Sequence, residues 1–561
     1  MTMFENNKII SLFLIITFIY LVIGMHIVTP TPGGASLYLT SNIIGWIIFS
    51  LLISLGFWQL TLNKVFYYSP FQILLLISLT LLYIPFLYSN SANDLAIPRL
   101  LALAAGFLLL SSLTQLTELK KYTHQILMLL LLGVFIEAII GCIQLYIAIP
   151  FNVNLATYST ITNLAFGSFI QPNVMASFLV TGIALSLYLL QPHFQIKNTK
   201  YYQFIIYSCL FLCPLLIITL KSRTGYLAAI LVLGILTPFI YQNRKSYKKA
   251  LLLLALGGVC ALLTLASIQG ADNNEKMYNT GHRSTIYQVS ADMILEKPIT
   301  GFGYGTFERQ YREHHLNMMK GDATLEPPLR DLGHPHNEVL LWVVEGGVLP
   351  LFAIILFAFA YLRLLRYRKF EKTPLISLIV PILLHTQTEY PFYHSVVHWL
   401  YFIIFLWLTE QSLSKPKTVA INNTFVIKLS SILLPFSMLL VMLSTLQTSF
   451  KMENFRQSEF KDVSQVKSII NTFTWKYYIE MTLFTQGLLN GYQQKDPQAL
   501  IRYINWGVKF VEHTPRQKVY QNMLIAVQTL EENNHNIDSQ LKSKITGDAI
   551  RLYPSFFNKA Q

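Results

Sequence analysis

Charge is scarce in this chain: Asp, Glu, Lys and Arg make up 12% of its 561 residues, against 53% that are hydrophobic. With a mean hydropathy of +0.46, a chain of this length is too apolar to be soluble and reads as a membrane protein. Cysteine is rare as well. Cys142, Cys209, Cys213 and Cys260 all sit inside apolar runs, without CxxC or Cys/His spacing, which argues against a zinc site and a disulfide framework. No Gly-rich loop precedes a helix with Lys-Ser/Thr, so there is no P-loop. The first apolar stretch, after Lys8, lacks a small-residue cleavage signal and is expected to be a retained anchor.

What is present is a series of long apolar runs. A bilayer core about 30 Å thick needs roughly 20 apolar residues per helical crossing. Thirteen crossings are predicted, near residues 9–29, 42–62, 70–90, 95–114, 125–149, 172–190, 202–220, 224–241, 250–268, 338–362, 374–390, 395–410 and 425–446. Such spans are too long and too many for a β-barrel, so the expected fold is an all-α polytopic membrane protein of about 12–13 transmembrane helices. After Leu446 the texture turns polar and helix-forming, with periodic pieces near 463–470, 477–489, 497–512 and 518–531. The expected organisation is N-terminal spans 1–149, a membrane core 150–268, a large loop 269–337, C-terminal spans 338–446 and a soluble, repeat-like helical domain 447–561.

The net charge of +14 comes mostly from short basic connections, at Lys64, Lys120, Lys197, Arg244, Arg366 and Lys415 among others. That distribution is a topology signal rather than a nucleic-acid surface, and the positive-inside rule makes this side and the N-terminus cytoplasmic. The other side then receives the long loop, the last domain and several short turns. Arg99, Lys221 and Arg223 fall on or near that outer side, where insertion does not explain a basic residue.

Chemistry-bearing groups collect on this outer face. The long loop holds Gly281-His282-Arg283, the glycine-rich stretch Gly301-Phe302-Gly303-Tyr304-Gly305-Thr306-Phe307, and Gly333-His334-Pro335-His336-Asn337-Glu338. Glycines at 301, 303 and 305 are expected to let backbone amides approach an anion. His334 and His336 can hydrogen-bond, accept a proton near neutral pH or contact phosphate, or they can simply cap a helix start. Gln171-Pro172-Asn173, Lys221-Ser222-Arg223 and Glu389-Tyr390-Pro391-Phe392-Tyr393 join spans on the same side. Each has its own structural explanation, as a helix start, a snorkelling anchor or an interfacial aromatic belt. Their joint placement predicts a cavity lined by guanidinium, ammonium, imidazole and amide groups beside lipid, which suits a pyrophosphate head on a hydrophobic tail.

Taken together these motifs, with Glu345-Gly346-Gly347 inside the next span, resemble the bacterial O-antigen ligase and polymerase superfamily. Phe169-Ile170-Gln171-Pro172-Asn173, Glu389-Tyr390-Pro391-Phe392-Tyr393 and the soluble domain resemble, more narrowly, the PglL-type protein O-oligosaccharyltransferases. The likeness runs from about residue 150 to the end, while the first four spans match in general character.

The resemblance implies a metal-independent, cofactor-free glycosyltransferase of the membrane-embedded GT-C type in the bacterial inner membrane, with its site facing the periplasm. The sequence holds no Asp-x-Asp motif. The implied donor is an undecaprenyl-pyrophosphate oligosaccharide, and the implied acceptor is a Ser or Thr of an exported protein such as type IV pilin. His336, with His334 second, is the expected catalytic base. Arg283, Arg223, Lys221 and Arg99 are expected at the donor pyrophosphate, and Gln171, Asn173, Tyr393, Glu389 and Asn337 are expected to orient substrate. An O-antigen ligase acting on lipid A core, or a polymerase, shares this donor site. A transporter or flippase fits less well, because no inverted repeat is evident and the polar groups gather in outer loops rather than at the midplane.

Overall fold

The computed structural model describes residues 3–29, 31, 35–88, 92–151, 153, 165–191, 194, 200–268, 283–322, 325–366 and 372–557. Gly281 and His282, the basic residues Lys197, Arg368 and Lys369, and residues 154–164 of the connection before Pro172 lie outside them. The chain is an all-α, multi-pass membrane protein. Among the described residues, twelve helices are long and apolar enough to cross a bilayer, from Lys8–His26 to Phe425–Gln457, and Leu375–Thr386 is a shorter apolar one.

The expected tenth crossing, 338–362, needs correction. Its first nine residues form a separate helix, Glu338–Gly346, and the apolar span is Val348–Leu365. Gly347 separates them at φ +71 and ψ −146, a backbone conformation essentially reserved for glycine. Hydropathy alone cannot register such a break, because both helices are apolar.

By backbone contacts the chain forms two compact units. The first comprises residues 1–79, 101–279 and 355–446. Its innermost helices are Pro172–Leu189 and Val396–Leu413, 89% and 83% buried, whereas most other spans leave an apolar face free for lipid. Small residues make that depth possible. A Cβ on Gly182 would stand 2.4 Å from Val134 Cγ1, and one on Gly106 would stand 2.3 Å from the Trp399 ring. One short sheet is also present: Val65–Tyr68 pairs antiparallel with Lys417–Ala420, in the register Val65↔Ala420 to Tyr68↔Lys417.

The second unit comprises residues 80–100, 280–354 and 447–561. Among its described residues the long loop contributes the helices Arg283–Glu296 and Phe307–Gly321. The polar tail contributes Lys476–Gln494, Pro497–Val511, Gln517–Glu532 and Ser539–Leu552. Tyr503, Met523, Val527 and Leu552 are among the residues that share their core. Asp496 and Asp538 start two of these helices by accepting the amides of Gln498 and Gln540, each at 2.9 Å.

Candidate active site

In the first unit, three of the expected segments meet at Asn173. Pro172 occupies the first turn of its helix, and the Gln171 side-chain oxygen accepts the amides of Asn173 (2.5 Å) and Val174 (3.3 Å). The Gln171 oxygen is therefore engaged in capping rather than facing a substrate. Asn173 Nδ2 donates to Glu389 Oε1 at 3.4 Å, and its Oδ1 accepts the Ser222 hydroxyl at 2.7 Å. Ser222 in turn caps its own helix by accepting Gly225 N at 3.2 Å. Thr224 and Thr388 meet through their hydroxyls at 2.9 Å, which ties the Ser222 and Glu389 segments to each other directly.

Lys221 takes a left-handed conformation, φ +52, and Arg223 is exposed at the first position of its helix. Tyr393 is half-buried beside Tyr390, whose ring stacks on His394 at 4.7 Å. This turn is anchored by Asn42, which donates to His394 O at 2.7 Å and accepts Val396 N at 2.9 Å.

The second unit carries the histidine motif. His336 has φ +57, an unusual conformation for a residue with a side chain. Its amide donates to His334 Nδ1 at 2.9 Å, and its carbonyl accepts the Tyr287 hydroxyl at 3.3 Å. Asn337 follows as the cap of Glu338–Gly346, its side chain accepting Leu340 N at 3.0 Å. His334 is buried. Because its Nδ1 accepts an amide proton, a neutral His334 carries its own proton on Nε2, which lies 3.8 Å from Glu338 Oε1. Arg283 opens the helix Arg283–Glu296, the same helix that supplies Tyr287.

Arg99 also lies in the second unit, but its guanidinium is already engaged. It pairs with Glu345 and lies over the rings of Tyr304 (4.6 Å) and Trp342 (4.4 Å), with 9% of the side chain exposed. Glu345 also accepts Phe307 N at 3.1 Å. The glycine-rich stretch behaves differently from an anion cradle. The amides of Gly301, Phe302 and Gly303 donate to the carbonyls of Lys297 (3.1 Å), Val344 (2.9 Å) and Glu345 (2.8 Å). Its glycines serve close backbone approach: a Cβ on Gly301 would stand 2.6 Å from the Glu345 backbone.

A cavity of about 370 Å³ opens in the same unit, walled by Phe302, Thr306, Arg309, Glu512, His513 and Lys544. Nearby, Glu308 pairs with Arg516. Burial dominates its titration and pushes the carboxyl up to about 7, against the pull of Arg516.

Sequence reasoning passed over several residues. Glu137 and His26 form a buried pair in the first unit. The signal for Glu137 was available, since it is the one Asp, Glu, Lys or Arg between 123 and 149. Tyr287 and the capping role of Ser222 have no comparable sequence signature.

Residues 165–190 match the protein glycosylation ligase family, 208–355 the O-antigen ligase family, and 374–537 the family of C-terminal regions of virulence factor membrane-bound polymerases. A comparison with curated proteins gives no match. The helical membrane fold and these three matches define the class, a multi-pass membrane glycan ligase of the glycosyltransferase kind. Within that class, the matched stretches are similar to the O-antigen ligase superfamily, with residues 165–190 similar to its protein glycosylation ligases.

Proposed function

We propose that this chain is a protein O-oligosaccharyltransferase of the bacterial inner membrane. It takes an oligosaccharide from undecaprenyl pyrophosphate on the periplasmic side and transfers it to a Ser or Thr of an exported protein such as type IV pilin. The protein glycosylation ligase match over 165–190 favours a protein acceptor, and it falls on the segment that carries Gln171 and Asn173. The second reading, an O-antigen ligase or polymerase, is favoured by the matches over 208–355 and 374–537.

In the proposed reaction the acceptor hydroxyl attacks the anomeric carbon with inversion. The bond from that carbon to the pyrophosphate oxygen breaks, and undecaprenyl pyrophosphate leaves with the electron pair. The hydroxyl proton passes to His336, which later returns it to solvent. The observation that carries this assignment is the arrangement at the histidines: His334 spends its Nδ1 lone pair on the His336 amide, so His336 is the base and His334 its positioning residue.

Arg283, Arg223 and Lys221 stabilise charge growing on the leaving group. Arg99, held by Glu345, braces the helix that follows the histidine motif instead. Asn173, Glu389, Tyr393 and Asn337 orient substrate, directly or through the segments they hold. The helices after residue 446 dock the acceptor, and the 370 Å³ cavity, part of whose wall they form, suits a few side chains of a protein segment.

Co-expression with a lipid-linked glycan pathway and with pilin, followed by intact-mass analysis, tests the proposal. Pilin gains the mass of the glycan. Glycan appearing only on lipopolysaccharide overturns the protein acceptor.

A further inference from the structure

Glu137 sits fully buried in the helix Thr123–Ile143, and a carboxylate inside a membrane span is costly enough to expect a task for it. Its Oε1 accepts Ser168 N at 2.7 Å, and its Oε2 accepts the Ser168 hydroxyl at 2.8 Å and meets His26 Nδ1 at 3.0 Å. The other ring nitrogen of His26 lies 3.1 Å from Leu21 O. A carbonyl only accepts, so Nε2 carries a proton, and the contact between Nδ1 and Oε2 requires one more, shared by the pair. Whichever atom holds it, the pair is neutral overall, which is what makes it tolerable in a membrane span.

Seven residues further along, Gln144 works on the same loop. Its Oε1 accepts the amides of Phe166 (3.0 Å) and Gly167 (2.8 Å), and its Nε2 donates to Gly167 O at 3.2 Å. At Gln144 the helix widens into a π turn, Gln144–Ala148, a feature frequent at functional sites. Gly167 has φ +63, and a Cβ there would stand 1.7 Å from Glu137 Oε1. Three residues later Ile170 has φ +54, a strained state for a β-branched side chain that its surroundings must impose. Gln171 follows at once as the helix cap, and Asn173 comes two residues after that.

We infer that Glu137, with His26, is a positioning residue: the shared-proton pair fixes Ser168, beside the hold of Gln144 on residues 166–167, and so sets where Asn173 meets Ser222 and Glu389. The catalytic consequence rests on the proposed transfer reaction, whereas the conformational one does not.

The test uses the full-length protein in native membranes and in detergent, with Glu137→Gln, His26→Gln and Ser168→Ala. Hydrogen exchange read on the peptide covering 165–173 is expected to rise at least tenfold in rate in Glu137→Gln, with the helices Lys200–Thr219 and Val396–Leu413 unchanged. In the transfer assay kcat is expected to fall at least tenfold in Glu137→Gln and about threefold in Ser168→Ala, while KM for the lipid-linked donor stays within twofold. Wild-type exchange at 165–173 in a folded Glu137→Gln overturns the inference, as does exchange rising evenly across the first unit. If Glu137→Gln does not fold, Ser168→Ala decides, and wild-type exchange and kcat there also overturn it. A wild-type protein that transfers no glycan, with exchange still rising only at 165–173, sinks the reaction and leaves the positioning intact.

Discussion

At His336 two hydrogen bonds hold a backbone conformation that a side chain disfavours by about 1–2 kcal/mol. Such strain is kept where the surroundings over-determine it, which here means His334 on the amide, Tyr287 on the carbonyl and Asn337 beginning the next helix. The motif suggested a histidine in a functional loop, and the resemblance ranked His336 ahead of His334 without a physical difference between the two. What separates them is a lone pair already spent, and no spacing encodes that. His336→Ala is therefore expected to lower transfer by about 10²–10⁴-fold at normal expression, the usual span for a general base. His334→Ala is expected to lose less, because it removes a support; turnover measured by mass shift of the acceptor checks the order, and a larger loss in His334→Ala reverses the assignment.

Glu308 gives a second prediction at this scale. Its carboxyl is raised from 4.5 to about 7 chiefly by burial, so the folded state holds a proton that the unfolded state has released between those values. The associated stability is fully present below about pH 4.5 and lost as pH rises through about 7. The thermal midpoint of wild type is expected to fall across that window relative to Glu308→Gln, in which the dependence flattens. Parallel curves for the two proteins in detergent would remove burial as the controlling cause.

At the scale of elements, hydropathy located the membrane helices because each must bury or present roughly 20 apolar residues, whatever its neighbours do. It failed where two apolar helices abut. Gly347 ends one and begins the other, and only its dihedral angles and its contact with Ile299 reveal the break. The loop helices Arg283–Glu296 and Phe307–Gly321 escaped for the opposite reason, since sequences such as Phe307-Glu308-Arg309-Gln310-Tyr311-Arg312 present few apolar positions and their burial comes from partners distant in sequence. The glycines at 301 and 303 were correctly seen to permit close approach, but the approaching group is the chain's own backbone.

Gly347→Ala is expected to cost about 2–4 kcal/mol, since strain at such a φ/ψ is worth about 1–3 kcal/mol before any clash is counted. The added Cβ would also stand 2.2 Å from Ile299 O. Gly234→Ala, with nothing within 4 Å, is the matched control and should melt like wild type or slightly higher. Equal thermal midpoints for the two variants would count against the break as a required feature.

For the whole molecule, the question is what the residues after 446 do for the chemistry. Removing them looks like a clean way to separate acceptor docking from catalysis, but the contacts argue otherwise. Arg309 donates to Val511 O at 2.8 Å and to Asp548 at 3.2 Å, and Arg312 donates to Leu552 O at 2.8 Å while lying 3.8 Å from the centre of the Tyr553 ring. Arg516 pairs with Glu308 and, at 3.0 Å, with Asp331, three residues before His334. Deletion would strip Arg309 of Val511 and Asp548, the buried Arg312 of Leu552 and Tyr553, and Glu308 of Arg516, and removing one partner from a buried pair typically costs about 3–5 kcal/mol. A chain ending at Leu446 is thus expected to lose transfer to pilin and to a short Ser/Thr peptide alike, with hydrogen exchange rising throughout Phe307–Gly321. Substitutions confined to the cavity wall, such as His513→Ala with Lys544→Ala, leave those pairs in place and are expected to raise KM for pilin several-fold while kcat on the peptide holds. If the short chain still glycosylates the peptide at the wild-type rate, the polar helices serve docking alone and the bracing drawn from Arg309, Arg312 and Arg516 is dispensable.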